Sequence, residues 1–186
     1  RHEITKVTDS YKLRNSKQSN ISYEANRLEY LIKNGDGAEM TLVLQVSNNN
    51  VALCYELSKK GETGSVRIMN EVTGYNFPQQ TTTFLTPQSD AMIGWKRTKP
   101  SYEEEYKADR PMNERSQFGH GYTFPCLFRV GEDGWVLLSE TGVDSRYCAS
   151  HISDYENGLY TIAFPMPEEN NGNGTVEPAF SLPGAT

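Results

Sequence analysis

Apolar and polar residues alternate with a period of two along much of this chain. Met40, Leu42, Leu44 and Val46 alternate with Thr41, Val43, Gln45 and Ser47. After Asn48, Asn49 and Asn50 the alternation resumes at Val51, Leu53, Tyr55 and Leu57. A period of two places successive side chains on opposite faces of a strand, so this pattern predicts a β-hairpin with an Asn-rich turn. Residues 23–33 read as a preceding strand that ends at Asn34-Gly35-Asp36-Gly37, all turn formers. Further short strands are predicted over 66–71, 81–85, 91–95, 146–152 and 159–164. A second hairpin joins 122–130 to 135–140 through Gly131-Glu132-Asp133-Gly134. No window carries a capped apolar stripe of period 3.6. Many short strands set off by turn residues predict an all-β antiparallel sandwich.

Two stretches break the alternation. Residues 96–121 are polar and charged, with Pro100 and Pro111, and read as a long loop that is either functional or disordered. Residues 165–186 are rich in Pro, Gly, Asn and Glu and read as a connection, leaving 1–164 as the folded domain. The chain opens at Arg1 without an apolar leader and closes on Pro183-Gly184-Ala185-Thr186. Both ends suggest a segment of a longer polypeptide, and an isolated sandwich of this kind would expose an apolar face.

The 186 residues suit one domain with a real core, and the formal net charge is −6. That charge argues against nucleic acid, whose phosphates need a basic stripe, and against an anionic membrane surface. No apolar run is long enough to span a bilayer. The three cysteines, Cys54, Cys126 and Cys148, have no zinc spacing. Cys54 lies in an alternating run and reads as a small core residue, whereas a pairing of Cys126 with Cys148 stays open.

The candidate chemistry centres on Ser101-Tyr102-Glu103-Glu104-Glu105-Tyr106. Three adjacent carboxylates repel one another until solvent or a cation relieves the charge. One reading is a solvated acidic loop; the other is a site for a hard cation beside a sugar. On a strand Glu103 and Glu105 share a face, but calcium takes six to eight oxygens, so other groups would have to join them. Tyr102 and Tyr106 fit either sugar stacking or core packing. Phe124 and Trp135 fit core packing better. Glu140, at the end of a predicted strand, is either a turn-capping acceptor or a site residue. His120, between two glycines, reads as solvated, and His151 as a surface or edge residue. No nucleophile elbow or phosphate loop is present.

Several of these segments, in this order, resemble the N-terminal domain of glycoside hydrolase family 97, whose members include α-glucosidases and α-galactosidases. The resemblance is carried by Asn49 to Leu57, by Ile93-Gly94-Trp95 followed by Ser101 to Tyr106, by Tyr122 to Phe128 and by Trp135 to Glu140. It implies a β-super-sandwich lacking its opening strands, packed on a (β/α)8 barrel that follows the chain and holds the catalytic residues. The segment alone is then expected to be inactive. The resemblance also implies an active-site Ca2+, held mainly by the barrel, with Glu105 as the ligand contributed by this domain. Tyr106, Tyr102 and Glu140 become candidate substrate-side residues. A bacterial periplasm or cell surface is the implied location. A free-standing carbohydrate-binding module is the alternative, and a surface or assembly protein without a sugar role is a third reading.

Overall fold

The computed structural model describes residues 2–58, 65–89, 104–132, 134–143, 150–164 and 180–183. Every regular element among them is a strand, and all the pairings are antiparallel. No helix among the described residues is long and apolar enough to cross a membrane. The chain divides into two compact units, Arg1–Thr63 and Gly64–Gly184.

The first unit is a four-stranded meander of β1 (His2–Lys12), β2 (Asn20–Lys33), β3 (Glu39–Val46) and β4 (Val51–Leu57). The predicted hairpin is β3–β4, paired from Met40↔Leu57 to Val46↔Val51. That register places Met40, Leu42, Leu44 and Val46 on the same face as Leu57, Tyr55, Leu53 and Val51. The turn into β3 closes through Asn34, whose side chain accepts the main-chain N–H groups of Asp36 and Ala38. β1 and the first residues of β2 extend beyond the predicted elements. Cys54 is exposed rather than core. Its partner across the ladder is Val43, but among the described residues β4 is an edge strand with no neighbour on its far side.

In the second unit a seven-stranded sheet runs in the order β6 (Gly74–Tyr75), β12 (Tyr160–Ala163), β11 (His151–Ile152), β9 (Tyr122–Val130), β7 (Thr82–Pro87), β8 (Lys107–Pro111), and β10 (Gly134–Leu138) also pairs with β9. Separately, β5 (Ser65–Ile68) pairs with β13 (Phe180–Pro183), so the expected connection 165–186 contains a strand. The predicted strand 91–95 lies outside the described residues, as does most of 146–152. The predicted loop 96–121 is corrected by β8, an edge strand with no apolar alternation to announce it.

The core of this unit is aromatic. Phe128 stacks on Phe77 at 4.3 Å between ring centroids and meets Tyr160 edge-on at 5.4 Å. Cys126, Ile152, Leu85 and Met112 fill the space around them. Cys126 is a buried free thiol, and burial pushes its pKa up to about 12; Cys148 lies outside the described residues. Phe124 packs against this core as expected. Trp135 does not: it is 53% exposed and tilts over Phe84 on the opposite face, with centroids 5.4 Å apart. It pairs across the ladder with Arg129, an odd-numbered residue of β9, whereas the buried Cys126 and Phe128 are even-numbered.

Candidate functional site

Glu104, Glu105 and Tyr106 lead directly into β8, the last strand on its side of the sheet among the described residues. Tyr102 and Glu103 lie outside the described residues. Glu104 is half-buried, Glu105 is exposed, and Tyr106 is 62% exposed, so Tyr106 is not a core residue. Among the described residues the Glu105 side chain has no hydrogen-bond or ion-pair partner, unlike Glu104.

Register shows which candidates share an end of the sheet. Lys107 stands opposite Leu85, and Cys126 opposite Leu138. β7 is antiparallel to both β8 and β9, and β10 is antiparallel to β9. Going back from Lys107 to Glu105 therefore leads the same way as going forward from Leu138 to Glu140. The start of β9 and the end of β7 arrive at that end too, joined by a 2.8 Å bond from the Gln88 N–H to the Gly121 carbonyl. Glu105, Tyr106, Glu140 and His120 thus gather at one end of the sheet. β8 and β10 are three strand spacings apart, roughly 14 Å.

Glu140 is half-buried and accepts a short hydrogen bond from the Ser150 hydroxyl. That bond ties the end of β10 to the residue before β11. The two histidines depart from expectation. His151 is buried, because β11 lies between β12 and β9 inside the sheet. Burial lowers its pKa, a bond with the His120 main chain opposes the shift, and the charge of His120 adds to it. His120 is half-buried rather than solvated, and its Nδ1 is enclosed without a hydrogen-bond partner among the described residues. The next residue, Gly121, makes a tight crossing, where a Cβ would stand 2.0 Å from the Ile152 carbonyl oxygen.

β8 has no apolar side chain in the core, so polar contacts hold it. Between Thr83↔Arg110 and Leu85↔Lys107 the register shifts, leaving two residues opposite one, which is a β-bulge. Asp109 takes a left-handed φ of 58° there, and its carboxylate accepts from Thr82 Oγ1 at 2.5 Å and pairs with Arg129 at 2.6 Å. Past the strand, the Glu114 carboxylate receives Lys107 Nζ at 2.9 Å and Arg110 Nε at 2.6 Å. Those two bonds, Arg110 first, lower the Glu114 pKa. The core holds the same loop by its main chain. The Tyr122 hydroxyl donates to the Glu114 carbonyl at 2.9 Å, the Tyr160 hydroxyl to the Met112 carbonyl at 3.0 Å, and the Ser116 N–H to Asp154 at 2.7 Å. Burial pushes the Tyr122 phenol up to about 12, which keeps it protonated as a donor. None of these contacts is legible in the sequence, because their partners come from separate strands and loops.

No group of three or more His, Cys, Asp or Glu side chains converges among the described residues. A calcium ion takes six to eight oxygens, more than the described residues bring together at this end of the sheet. Glu105, exposed and without a partner among the described residues, fits a single contributed ligand rather than a complete site.

The sequence pattern of a family described as Glycosyl-hydrolase 97 N-terminal matches residues 1–168. Among solved structures, one described as a beta-arabinopyranosidase is 62% identical with a TM-score of 0.87; the match covers 98% of this chain and 29% of that one. A glycoside hydrolase family 97 enzyme from Pseudoalteromonas sp. strain K8, in complex with acarbose, is 14% identical with a TM-score of 0.71, covering 98% and 26%. A variant of that enzyme in complex with panose matches equally. The chain spans less than a third of the length of these solved relatives. No curated protein matches it. The likeness to the Pseudoalteromonas enzyme is one of fold, an all-β antiparallel sandwich.

Proposed function

This chain belongs to the glycosyl hydrolase 97 N-terminal family, and from that premise we propose that it forms the non-catalytic wall of a glycosidase active site. Its partner would be a catalytic barrel in the same polypeptide. The observation that carries the reading is the 62% identity to a beta-arabinopyranosidase over nearly the whole chain. That neighbour changes the substrate expected. A β-L-arabinopyranoside has the ring configuration of an α-D-galactopyranoside without the exocyclic hydroxymethyl group. We therefore favour an arabinopyranoside or galactopyranoside over an α-glucoside, and bacterial periplasm or cell surface as the location.

In this reading Glu105 contributes one oxygen to a Ca2+ ion, and Tyr106 beside it offers a ring face and a hydroxyl to the sugar. The ion would supply positive charge and orientation at the sugar oxygens. The chain's own part is to hold a carboxylate at the end of a rigid sheet and help exclude water. Tyr102 is a second candidate for sugar contact, and Glu140 fits support of the Ser150 region better than substrate contact.

The test uses the full-length polypeptide, with p-nitrophenyl β-L-arabinopyranoside, α-D-galactopyranoside and α-D-glucopyranoside as substrates. The first two should be hydrolysed faster than the glucoside. Glu105→Gln should raise the half-saturating calcium concentration by about tenfold or more in a calorimetric titration. An unchanged calcium titration would remove Glu105 from the site. One observation favours the binding-module alternative: the exposed indole of Trp135 beside Phe84 is a surface on which a sugar ring could stack. Saccharide binding by the segment alone, lost in Trp135→Ala, would favour that alternative.

A further inference from the structure

We propose that Glu114 is a positioning residue for the segment Glu104–Tyr106, acting through Lys107 and Arg110. The importance of that segment rests on the function proposed above; the clamp itself rests on contacts in the second unit. Lys107 directly follows Tyr106, and its ammonium lies 2.9 Å from the Glu114 carboxylate. Arg110 binds the other oxygen of the same carboxylate at 2.6 Å. One side chain thus holds both ends of the bulged stretch of β8.

Ion pairs between exposed residues are usually weak, because two mobile side chains must be ordered at once. Glu114 differs in how it is anchored. Its side chain is 24% exposed, against 54% for Lys107 and 52% for Arg110. Its carbonyl accepts from the Tyr122 hydroxyl, and Tyr122 belongs to the core. Two residues before it, the Met112 carbonyl accepts from Tyr160; two residues after it, the Ser116 N–H donates to Asp154. The carboxylate therefore projects from a loop fixed at three points, and the mobile partners are those on β8. On the opposite face, Asp109 joins β8 to Thr82 and Arg129. With apolar packing absent, these two sets of contacts govern where β8 begins and how far Glu105 and Tyr106 wander.

The test is amide hydrogen exchange across peptides containing Glu104 to Lys107, in the full-length polypeptide. Glu114→Ala should speed exchange there by about three- to tenfold, the effect of losing one or two weak ion pairs. Glu114→Gln, which keeps an acceptor oxygen, should have an intermediate effect. Exchange in the β9 core should not change. Tyr122→Phe keeps the ring but frees the Glu114 carbonyl, and should loosen the same peptides if Glu114→Ala fails to fold. A purely structural role would instead raise exchange throughout the unit, and that result, or no change at Glu104 to Lys107, overturns the proposal. Hydrolysis of p-nitrophenyl β-L-arabinopyranoside separates the two readings. A loosened segment with unchanged kcat and KM keeps the clamp and removes the segment's role in the active site. A loosened segment with a raised KM supports both.

Discussion

His151 shows how one side chain ties the candidate site to the stability of the fold. Its place at the end of an apparent strand suggested a surface or edge position, yet β11 is an interior strand and the imidazole is buried. Nothing local to a two-residue strand reports on its neighbours, so this burial was not legible. It has a consequence with a definite sign. Burial lowers the pKa below the ordinary 6.5. The unfolded chain therefore binds this proton more readily than the folded one. The contribution is complete above about pH 6.5 and is lost as the pH falls toward and through the folded value. Urea unfolding measured from about pH 8 to pH 5 should show wild-type stability dropping more steeply than that of His151→Gln. His120 has to be titrated alongside, since its charge contributes to the shift. Parallel curves for the two proteins would refute the assignment.

At the scale of elements, the strands that read clearly were those with one apolar face. β3, β4 and β9 alternate because one side of each meets other apolar residues. β1 was not recognised, since Ile4 and Val7 fall on opposite faces of HEITKVTDSYK. It exists because eleven residue pairs, His2↔Tyr30 to Lys12↔Asn20, match it to β2. β8 was missed for a related reason: KADRP is polar throughout and is held by a bulge and ion pairs. Glu105 and Tyr106 were legible as chemistry, but the clamp behind them was not, because its members come from separate strands and loops. The junction of β9 with β11 gives an element-scale prediction. Gly121 has φ +83°, and a Cβ there would stand 2.0 Å from the Ile152 oxygen and 2.9 Å from the Ser153 Cα, both main-chain atoms. Gly121→Ala must push the two strands apart and should destabilise the fold by at least about 2 kcal/mol. A denaturation midpoint equal to wild type would show that the crossing is looser than the geometry implies.

The two units differ in how their sheets are covered. In the second unit Phe128, Ile152 and Cys126 are fully enclosed. In the first, the only buried apolar residues among those described are Ala25 and Val43, and neither lies on the large apolar face. Register puts Ile4, Leu28, Leu44 and Leu53 in one row of that face, and Tyr30, Leu42 and Tyr55 in the next. Val51 is 65% exposed and Ile4 66%. The alternation that made β3 and β4 legible thus marks a face built for burial. Ordering each backbone residue costs about 1–2 kcal/mol, which a single sheet with two enclosed apolar residues cannot offset. Residues 1–63 expressed alone should therefore show no cooperative thermal transition and should associate through the apolar face, with increased binding of a hydrophobic dye. Tyr55→Lys and Leu53→Lys should reduce that association without restoring a transition. A monomeric 1–63 that melts in one sharp step would mean the meander is self-sufficient, and the exposed face would then need a different explanation.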